Sequence, residues 1–421
     1  MNTSRRFECF GSVDAADEDD RVDEARHHHR GRGTSAEAGG WRTVMATVTV
    51  TRPTRRRPRF YRLRVREREW LTSDAIAVTF DVPTPLREAF AFRAGQHVTI
   101  RWAGPDGEVR RSYSVCSTPR ELARSGRLRI GIRLIPGGVF SEYARQTLAV
   151  GDEIDVMPPL GGFTTDFDPQ RSRHYGAIVA GSGITPVLSL VATALETENG
   201  SRFTIIFGNR TANSVMFVDE LADLKDRYPA RLHIVHVLSR ESRDAELLTG
   251  RLDAERISRL LDALLPTSDP VDEWFLCGPY GVVEAAQSVL SGRGVPRERI
   301  HLEFFFVGDD ISQSARATEQ ARDITEPDEG DCVLTVRLGG RITTLRIGRR
   351  ERLLDRIRRE RPETPFSCTG GVCGTCRARV TAGRARMERC YALTSQEVAE
   401  GFILTCQTYP VTDALSIDYD V

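Results

Sequence analysis

Alternating apolar and charged residues begin near Phe60 and predict a first unit built from short strands. In Arg62-Leu-Arg-Val-Arg66 every second residue is charged, which is typical of a strand with one face in water. Gly- and Pro-bearing turns separate the runs that follow, and one helical stretch precedes the last strand. The pattern predicts a small antiparallel barrel with strands at 62–66, 75–82, 96–102, 109–116, 128–135 and 153–157, and a helix at 140–148.

After Arg173 the pattern changes to short apolar runs that alternate with helical segments. Such alternation predicts a parallel sheet with helices on both faces. We expect strands at 176–180, 203–207, 232–237, 274–277 and 300–305, with helices at 187–196, 219–228, 254–265 and 282–291.

The composition along the chain divides it into five parts. Residues 1–45 carry few large apolar side chains and no periodicity, so we expect a disordered tail. A polar segment with Pro327 is typical of a linker. It is followed by predicted strands, one helix at 352–360 and a cysteine cluster. The predicted parts are the tail 1–45, a barrel domain 58–170, an α/β domain 171–306, the linker 307–330 and a third domain 331–421.

Charge and hydropathy exclude several classes of protein. The 59 basic and 59 acidic residues cancel, which argues against a dedicated nucleic-acid-binding protein. The most apolar stretch, 177–195, contains Gly181, Gly183 and Pro186, and this favours a strand, turn and helix over a membrane span. No secretory signal is visible, so we expect a cytoplasmic protein. Nine cysteines are too few for a disulfide-dense scaffold, and the crowding of three of them predicts a metal site in a reducing compartment.

The crowded cysteines follow the spacing C-x4-C-x2-C, the plant-type pattern for a [2Fe–2S] cluster. Glycines between them allow the backbone to fold tightly and direct amide groups at the sulfurs. A zinc ribbon is the alternative, but it generally uses two C-x2-C pairs and only one is present. Cys390 is also downstream, but Cys406 follows an apolar run that can return it to a buried loop. The predicted ligands are Cys368, Cys373, Cys376 and Cys406.

Two glycine turns follow predicted strands of the α/β domain. Gly181-Ser-Gly183-Ile-Thr185-Pro186 leads into a helix, and Cys277-Gly278-Pro279 follows a later strand. A glycine turn lets the backbone approach a pyrophosphate, and a helix N-terminus supplies unpaired N–H groups. A tight turn without a ligand is the alternative for either one alone. Together they predict a ligand crevice at the carboxyl ends of the strands.

The barrel carries two segments that suit a flavin. Arg111-Ser-Tyr113-Ser114 lies on a strand, and Gly138-Val-Phe140-Ser141 opens a helix. An aromatic face, a cation and hydroxyl groups can hold a flavin by stacking, phosphate pairing and hydrogen bonds. Alone, Arg111 could be a solvated strand residue and Tyr113 a core residue.

With these motifs in this order, the chain from about Phe60 to Val421 resembles a ferredoxin–NADP reductase-type flavoprotein fused to a plant-type ferredoxin. It is most similar to the reductases of phenylacetyl-CoA epoxidase and of related oxygenases such as 3-ketosteroid hydroxylase. The resemblance implies an antiparallel β-barrel FAD domain, an α/β NAD(P) domain and a β-grasp ferredoxin domain. It also implies an oxidoreductase that passes electrons from NAD(P)H through FAD and a [2Fe–2S] cluster to a partner oxygenase.

The resemblance further implies roles for individual residues. Catalytic roles fall to Ser114 near the flavin N5, Cys277 beside the nicotinamide and Glu303 closing the flavin pocket. Relatives often have Arg after this Glu, whereas Phe304 stands here. The implied cofactor-binding residues are Arg111, Tyr113, Ser114, Arg133, Gly138, Phe140, Ser141, Gly181, Gly183, Thr185, Arg210, Ser239, Arg240, Cys277, Gly278 and Pro279.

Three questions stay open at the level of the sequence. Asn209-Arg210 and Ser239-Arg240 end neighbouring strands and favour NADPH through its 2′-phosphate, but a solvent-facing loop and NADH are the alternative. The acceptor could also be a quinone or ferric chelate, and a zinc-stabilised binding protein is the non-enzymatic alternative. Residues 331–421 hold fifteen Arg and eleven acidic residues, which fits either an acidic docking partner or simple solubility.

Overall fold

A computed structural model describes residues 59–105, 107–265, 270–305 and 330–421. The predicted tail at 1–45 lies outside the described residues, as does the predicted linker except for Gly330. Within the described part, no helix is long and apolar enough to cross a membrane.

The first domain is a six-stranded antiparallel barrel with strand order β4-β3-β6-β1-β2-β5. A bridge between Val115 and Ile130 joins the two end strands. Apolar residues alternate along each strand, and the inward ones, such as Leu63, Val78 and Ile100, form one buried core. The elements are β1 Tyr61–Thr72, β2 Ala75–Asp81, β3 His97–Gly104, β4 Gly107–Ser114, α1 Pro119–Ser125, β5 Arg127–Arg133, α2 Val139–Gln146 and β6 Glu153–Leu160.

The second domain is a parallel five-stranded sheet with the order β11-β10-β7-β8-β9. The chain begins at β7 in the middle and runs to β9 on one side, then to β11 on the other. The carboxyl ends of β7 and β10 therefore form the point where the strand order reverses. The elements are β7 His174–Ala180, α3 Ile184–Thr197, β8 Arg202–Asn209, α4 Val218–Arg227, β9 Leu232–Leu238, α5 Ala254–Leu264, β10 Glu273–Gly278, α6 Tyr280–Gly292 and β11 Ile300–Phe304.

The third domain is a mixed sheet of the β-grasp type, with the order β13-β12-β18-β14-β16. Its central strands β12 and β18 are parallel, and a two-stranded ribbon of β15 and β17 lies beside the sheet. The buried residues Leu353 and Ile357 of α7 pack on the sheet. The elements are β12 Asp331–Leu338, β13 Arg341–Gly348, α7 Leu353–Glu360, β14 Arg377–Ala382, β15 Ala385–Met387, α8 Ser395–Ala399, β16 Phe402–Leu404, β17 Thr408–Pro410 and β18 Ala414–Asp418.

The structure adds α1 to the predicted barrel and α8 to the third domain, for which one helix was predicted, and it lengthens α3 in the α/β domain. Helix α1 begins after Thr118, whose hydroxyl accepts from the Glu121 amide at 3.2 Å while the Glu121 carboxylate accepts from the Thr118 amide at 2.7 Å. The sequence Thr118-Pro-Arg-Glu121 has the pattern that predicts this capping box. Helix α3 begins at Ile184, earlier than the predicted 187, because Pro186 is tolerated in the first turn.

Candidate active site

The two glycine turns meet at the carboxyl ends of β7 and β10. Gly181 adopts a φ of 56°, in the left-handed region that glycine occupies without strain. A Cβ added to Gly183 would lie 2.3 Å from the carbonyl oxygen of Cys277, so the backbones of the two turns are in direct contact. The turns therefore form the two sides of one crevice at the point where the strand order reverses.

Cations surround this crevice from both domains. Arg133 extends from β5 of the barrel and donates to the Asp74 carboxylate at 3.1 and 3.2 Å. Its guanidinium lies 3.0 Å from the position that a Cβ on Gly181 would take. On the next strands, the Arg240 amide donates to the Arg210 carbonyl at 2.8 Å, which places these two exposed arginines on adjoining turns.

Asn209 lies at the end of β8. The sequence predicted its position at a strand end but not the burial of its side chain. The residue is 7% exposed, and neither its Oδ1 nor its Nδ2 has a hydrogen-bond partner among the described residues. Because buried amide groups are almost always partnered, the position fits a ligand that supplies donors and acceptors. A nucleotide in the crevice would do so.

The barrel strand β4 carries the residues predicted to hold the flavin. Arg111 is exposed and donates to the Arg110 carbonyl at 2.8 Å, and the half-buried Tyr113 ring lies 5.8 Å from Phe140. Ser141 closes the first turn of α2 by donating to the Gly138 carbonyl at 2.9 Å. A Cβ on Gly138 would lie 2.8 Å from the main-chain carbonyl oxygen of Ile135, so this turn requires glycine.

Strands from two domains bring Ser114, Cys277 and Glu303 together. The Ser114 hydroxyl donates to Glu303 Oε2 at 3.0 Å, and the Cys277 thiol lies 3.7 Å from the same oxygen. Burial raises the pKa of Glu303 to about 7, although the bonds from Ser114 and Cys277 act in the opposite sense. Burial also raises the pKa of Cys277, so this thiol stays neutral. The site thus contains a carboxyl group that exchanges a proton near neutral pH.

Thr185 lies at the junction of the barrel and the α/β domain. Its hydroxyl donates to the Ser182 carbonyl at 2.9 Å within the glycine turn. A Cβ added to Gly131 of the barrel would lie 2.7 Å from the Thr185 methyl group. Barrel and α/β domain therefore pack directly against each other beside the crevice.

The four cysteines predicted as ligands converge in the third domain. Cys368 and Cys373 lie close enough for each thiol to shift the pKa of the other, and so do Cys376 and Cys406. Main-chain amides also point at the sulfurs, including that of Gly370 at 3.4 Å from Cys368. The Cys373 thiol, together with these amides, lowers the pKa of Cys368 to about 7.

The remaining candidate ligand, Cys390, makes a different contact. Its sulfur lies 4.0 Å from the carbonyl oxygen of Leu393, outside the two thiol pairs. The structure thus places Cys406 beside Cys376, and Cys390 packs on the same apolar cluster.

The cysteine loop, residues 364–376, lies against the barrel and the α/β domain rather than apart from them. Arg110 is buried, donates to the Thr364 carbonyl at 3.2 Å and stacks 4.2 Å from the centre of the Phe366 ring. Next to Phe366 in the chain, Ser367 accepts a hydrogen bond of 2.9 Å from the Ser112 hydroxyl.

The other side of the loop contacts the α/β domain. The Tyr391 ring lies 4.8 Å from Phe304, and Val372 packs on the same apolar core. Phe304 therefore takes part in the contact between domains.

Three family models match the chain in order. They are the oxidoreductase FAD-binding domain over residues 62–165, the oxidoreductase NAD-binding domain over 177–288 and the 2Fe-2S iron-sulfur cluster binding domain over 336–411. A 1,2-phenylacetyl-CoA epoxidase subunit from Escherichia coli is 40% identical over 86% of this chain and 98% of its own length. The chain belongs to the family of ferredoxin–NADP reductase-type flavoproteins that carry a C-terminal [2Fe–2S] domain.

Other relatives of this reductase share its organisation. The ferredoxin reductase component of 3-ketosteroid-9-alpha-monooxygenase from Rhodococcus rhodochrous is 32% identical over 83% of this chain and 93% of its own length. The solved structure of phthalate dioxygenase reductase has the same fold, with a TM-score of 0.51 and 22% identity over 85% of this chain and 98% of that one. An intact type IV self-sufficient cytochrome P450 monooxygenase matches with a TM-score of 0.61 and 21% identity over 86% of this chain and 41% of that longer one.

The residues present fit the three cofactors of the reductase. Four buried or half-buried thiols with amide donors are the ligand set that a [2Fe–2S] cluster requires. Arg111, Tyr113 and the start of α2 offer charge, an aromatic face and a glycine turn to FAD. The unpartnered Asn209 amide and the two glycine turns offer a site to the nicotinamide nucleotide.

Proposed function

We propose that this reductase supplies electrons from NADPH to the oxygenase component of an enzyme of the phenylacetyl-CoA epoxidase type. The observation that carries the proposal is the shared interface between the flavin-site carboxylate and the cluster loop. Glu303 accepts from the Ser114 hydroxyl at 3.0 Å, and Ser112 on the same strand donates to Ser367, next to Cys368, at 2.9 Å, so the two centres lie close together. The relative from Escherichia coli, matched over nearly its full length, supports the choice of oxygenase.

The residues of the site suit this chemistry. Bound FAD would accept a hydride from the nucleotide and release electrons singly to the cluster. Glu303 can hold a proton at Oε2 and share it with the Ser114 hydroxyl, because its pKa of about 7 lies near working pH. Cys277 is fully buried, so next to a bound nicotinamide it would keep water away.

We propose NADPH as the donor because the strand ends of β8 and β9 present cations and a hydroxyl. Arg210 and Arg240 adjoin each other, and Ser239 is tied to Asn209 by an amide–carbonyl hydrogen bond of 2.9 Å. A 2′-phosphate needs such a set. The nearby Glu241 carboxylate accepts a hydrogen bond from the Ala212 amide at 2.8 Å, so the main chain stabilises its negative charge.

The coenzyme is tested by kcat/KM for NADPH and NADH with the wild type and with Arg240→Ala. We expect the wild type to prefer NADPH and the variant to lose that preference while keeping its rate with NADH. A clear wild-type preference for NADH would overturn this part of the proposal.

The excess of four positive charges in residues 331–421 favours an acidic docking face on the oxygenase. Electron transfer to the oxygenase should therefore slow as salt rises, while reduction of the flavin by nucleotide stays constant. Transfer that does not depend on salt would speak against electrostatic docking.

Reconstitution tests the function as a whole. The reductase is combined with the oxygenase component recovered from the native cell by affinity capture, and the product formed from phenylacetyl-CoA is measured by mass spectrometry. Quinone and ferric chelate reduction are measured in parallel. Product formation coupled to NADPH consumption supports the proposal, whereas faster turnover with a quinone or ferric chelate would favour a stand-alone reductase.

A further inference from the structure

The Asp74 carboxylate holds a barrel arginine that faces the nucleotide crevice. It accepts from Arg133 Nε at 3.1 Å and from Arg133 Nη2 at 3.2 Å, so both of its oxygens contact one edge of the guanidinium. Nη1, at the opposite edge, donates to no group among the described residues. It lies 3.0 Å from the position that a Cβ on Gly181 would take. The contact with Asp74 thus turns the remaining nitrogen toward the glycine turn.

Asp74 is itself fixed in the short turn between β1 and β2. The Thr72 hydroxyl donates to Asp74 Oδ1 at 2.8 Å and accepts from the Asp74 amide at 3.3 Å. The Asp74 carbonyl accepts from the Leu134 amide at 2.7 Å, which ties the turn to the end of β5. A free arginine side chain loses much conformational entropy when a ligand orders it. Because the barrel already orders Arg133 through Asp74, a ligand of Nη1 does not have to do so.

The position of Nη1 suits a phosphate group of the nucleotide. Gly181 opens the turn that leads into α3, a helix of 14 residues whose first amides have no side-chain cap. Anions bind at such helix starts, and a guanidinium beside the amides adds a charge-assisted hydrogen bond. The Arg133 and Asp74 side chains are only 19% and 32% exposed, so water screens their contact incompletely. The cation is therefore held firmly where an anion would approach the turn.

We infer that Asp74 is a positioning residue that directs Arg133 Nη1 at the pyrophosphate of the nicotinamide nucleotide. Asp74 acts through Arg133, because its carboxylate lies at the edge of the guanidinium that faces away from the glycine turn. This role rests on nucleotide binding in the crevice, and NADPH and NADH share the pyrophosphate. It therefore holds whichever coenzyme and whichever oxygenase the reductase uses. Asp74 belongs to no sequence motif, so only the packing discloses the role.

The charge of Asp74 and its positioning of Arg133 predict opposite effects. A carboxylate near an anion site repels the anion, so its removal would strengthen nucleotide binding if only its charge mattered. If Asp74 orders Arg133, its removal weakens binding, because the nucleotide must then order that side chain itself. Asp74→Asn separates the two by the sign of its effect.

The test is calorimetric titration of the complete oxidised reductase, with FAD and cluster, by NADP+ and by NAD+. In Arg133→Ala we expect Kd to rise roughly tenfold for both nucleotides, the effect of losing one hydrogen bond to a charged group. Arg133→Lys should lose nearly as much, because an ammonium group has no second edge for the pyrophosphate once it meets Asp74. In Asp74→Asn, Kd should rise roughly three- to tenfold, the effect of ordering one long side chain.

A double-mutant cycle tests whether Asp74 acts through Arg133. Asp74→Asn should not weaken binding further when it is added to Arg133→Ala. Asp81→Asn is the matched control, because Asp81 accepts from Arg66 at 2.9 Å at the opposite end of β2, and its Kd should equal that of wild type. In turnover, the ratio of kcat/KM for NADPH to that for dihydronicotinamide riboside, which has no phosphate, should fall about tenfold in Arg133→Ala.

Four results would overturn this role for Asp74. They are unchanged or tighter nucleotide binding in Asp74→Asn, a further loss when Asp74→Asn is added to Arg133→Ala, an effect of Arg133→Ala on NADP+ alone, and loss of FAD from Arg133→Ala, which would assign the cation to the flavin. If Asp74→Asn does not fold, Thr72→Val decides instead. It loosens the Asp74 carboxylate but keeps its charge, so Kd should again rise, and an unchanged Kd would overturn the role.

Discussion

The contact between the two glycine turns can be tested with a single methyl group. In Gly183→Ala the new Cβ would lie 2.3 Å from the Cys277 carbonyl oxygen and 2.6 Å from its carbon. Carbon contacts are comfortable from about 3.5 Å, so the methyl group is roughly 1 Å too close. Both obstructing atoms are main-chain atoms of β10, which no rotamer change can move. The φ of Gly183 is −60°, so the effect is steric and not conformational.

Relief of this clash must separate the turns at the ends of β7 and β10. Overpacking of this kind costs roughly 1–3 kcal/mol in stability. The larger effect falls on function, because Cys277 moves with its carbonyl and contacts Glu303. A misplacement of about 1 Å in a catalytic arrangement can slow a reaction roughly 100-fold. We therefore expect flavin reduction to be roughly 10- to 100-fold slower, a rise of about 1.4 to 2.7 kcal/mol in the activation barrier.

The assay is anaerobic stopped-flow loss of flavin absorbance over a range of NADPH concentrations. Gly281→Ala is the matched control, because this glycine lies in the first turn of α6 and a Cβ there meets nothing within 4 Å. The control should reduce its flavin at the wild-type rate. If Gly183→Ala also does so, with unchanged nucleotide affinity, the two turns do not form one crevice and the reasoning fails.

Three further predictions test other parts of the site. Above its pKa of about 7, Glu303 is an anion that opposes negative charge arriving on the flavin. Flavin reduction should therefore slow as pH rises through about 7, whereas the rate of Glu303→Gln should not change with pH. A similar fall in the variant would refute this. Cys406→Ala should lose iron and labile sulfide by chemical analysis while Cys390→Ala retains both, and the reverse result would reassign the fourth ligand. Arg110→Lys keeps the positive charge beside Glu108 but loses the stacking on Phe366, which is worth about 0.5–2 kcal/mol. Cluster reduction should slow several-fold while flavin reduction stays unchanged. A wild-type rate of cluster reduction would show that the position of the cysteine loop does not depend on Arg110.

Local patterns were sufficient for most elements of the first two domains and for the three cofactors. Strand alternation, helical periodicity and the spacing of the three crowded cysteines depend on neighbours in the chain, so they are visible without a fold. Glycine turns after strands are equally local. Helix α1 could have been found in the same way, since its capping box lies within four residues. The order of the three domains follows from these patterns alone.

Only the tertiary structure decided how the three centres meet. Arg110 and Thr364 are separated by 254 positions, and Ser112 and Ser367 by 255, so no local pattern links them. The unpartnered Asn209 amide belongs to an ordinary strand residue until packing deprives it of water. From the sequence, Phe304 differs from the residue that the resemblance implies. In the fold its ring packs against Tyr391 at the contact between domains. Contacts between distant segments arise from the packing of whole domains, and the burial that shifts the pKa of Glu303 exists only after that packing is complete.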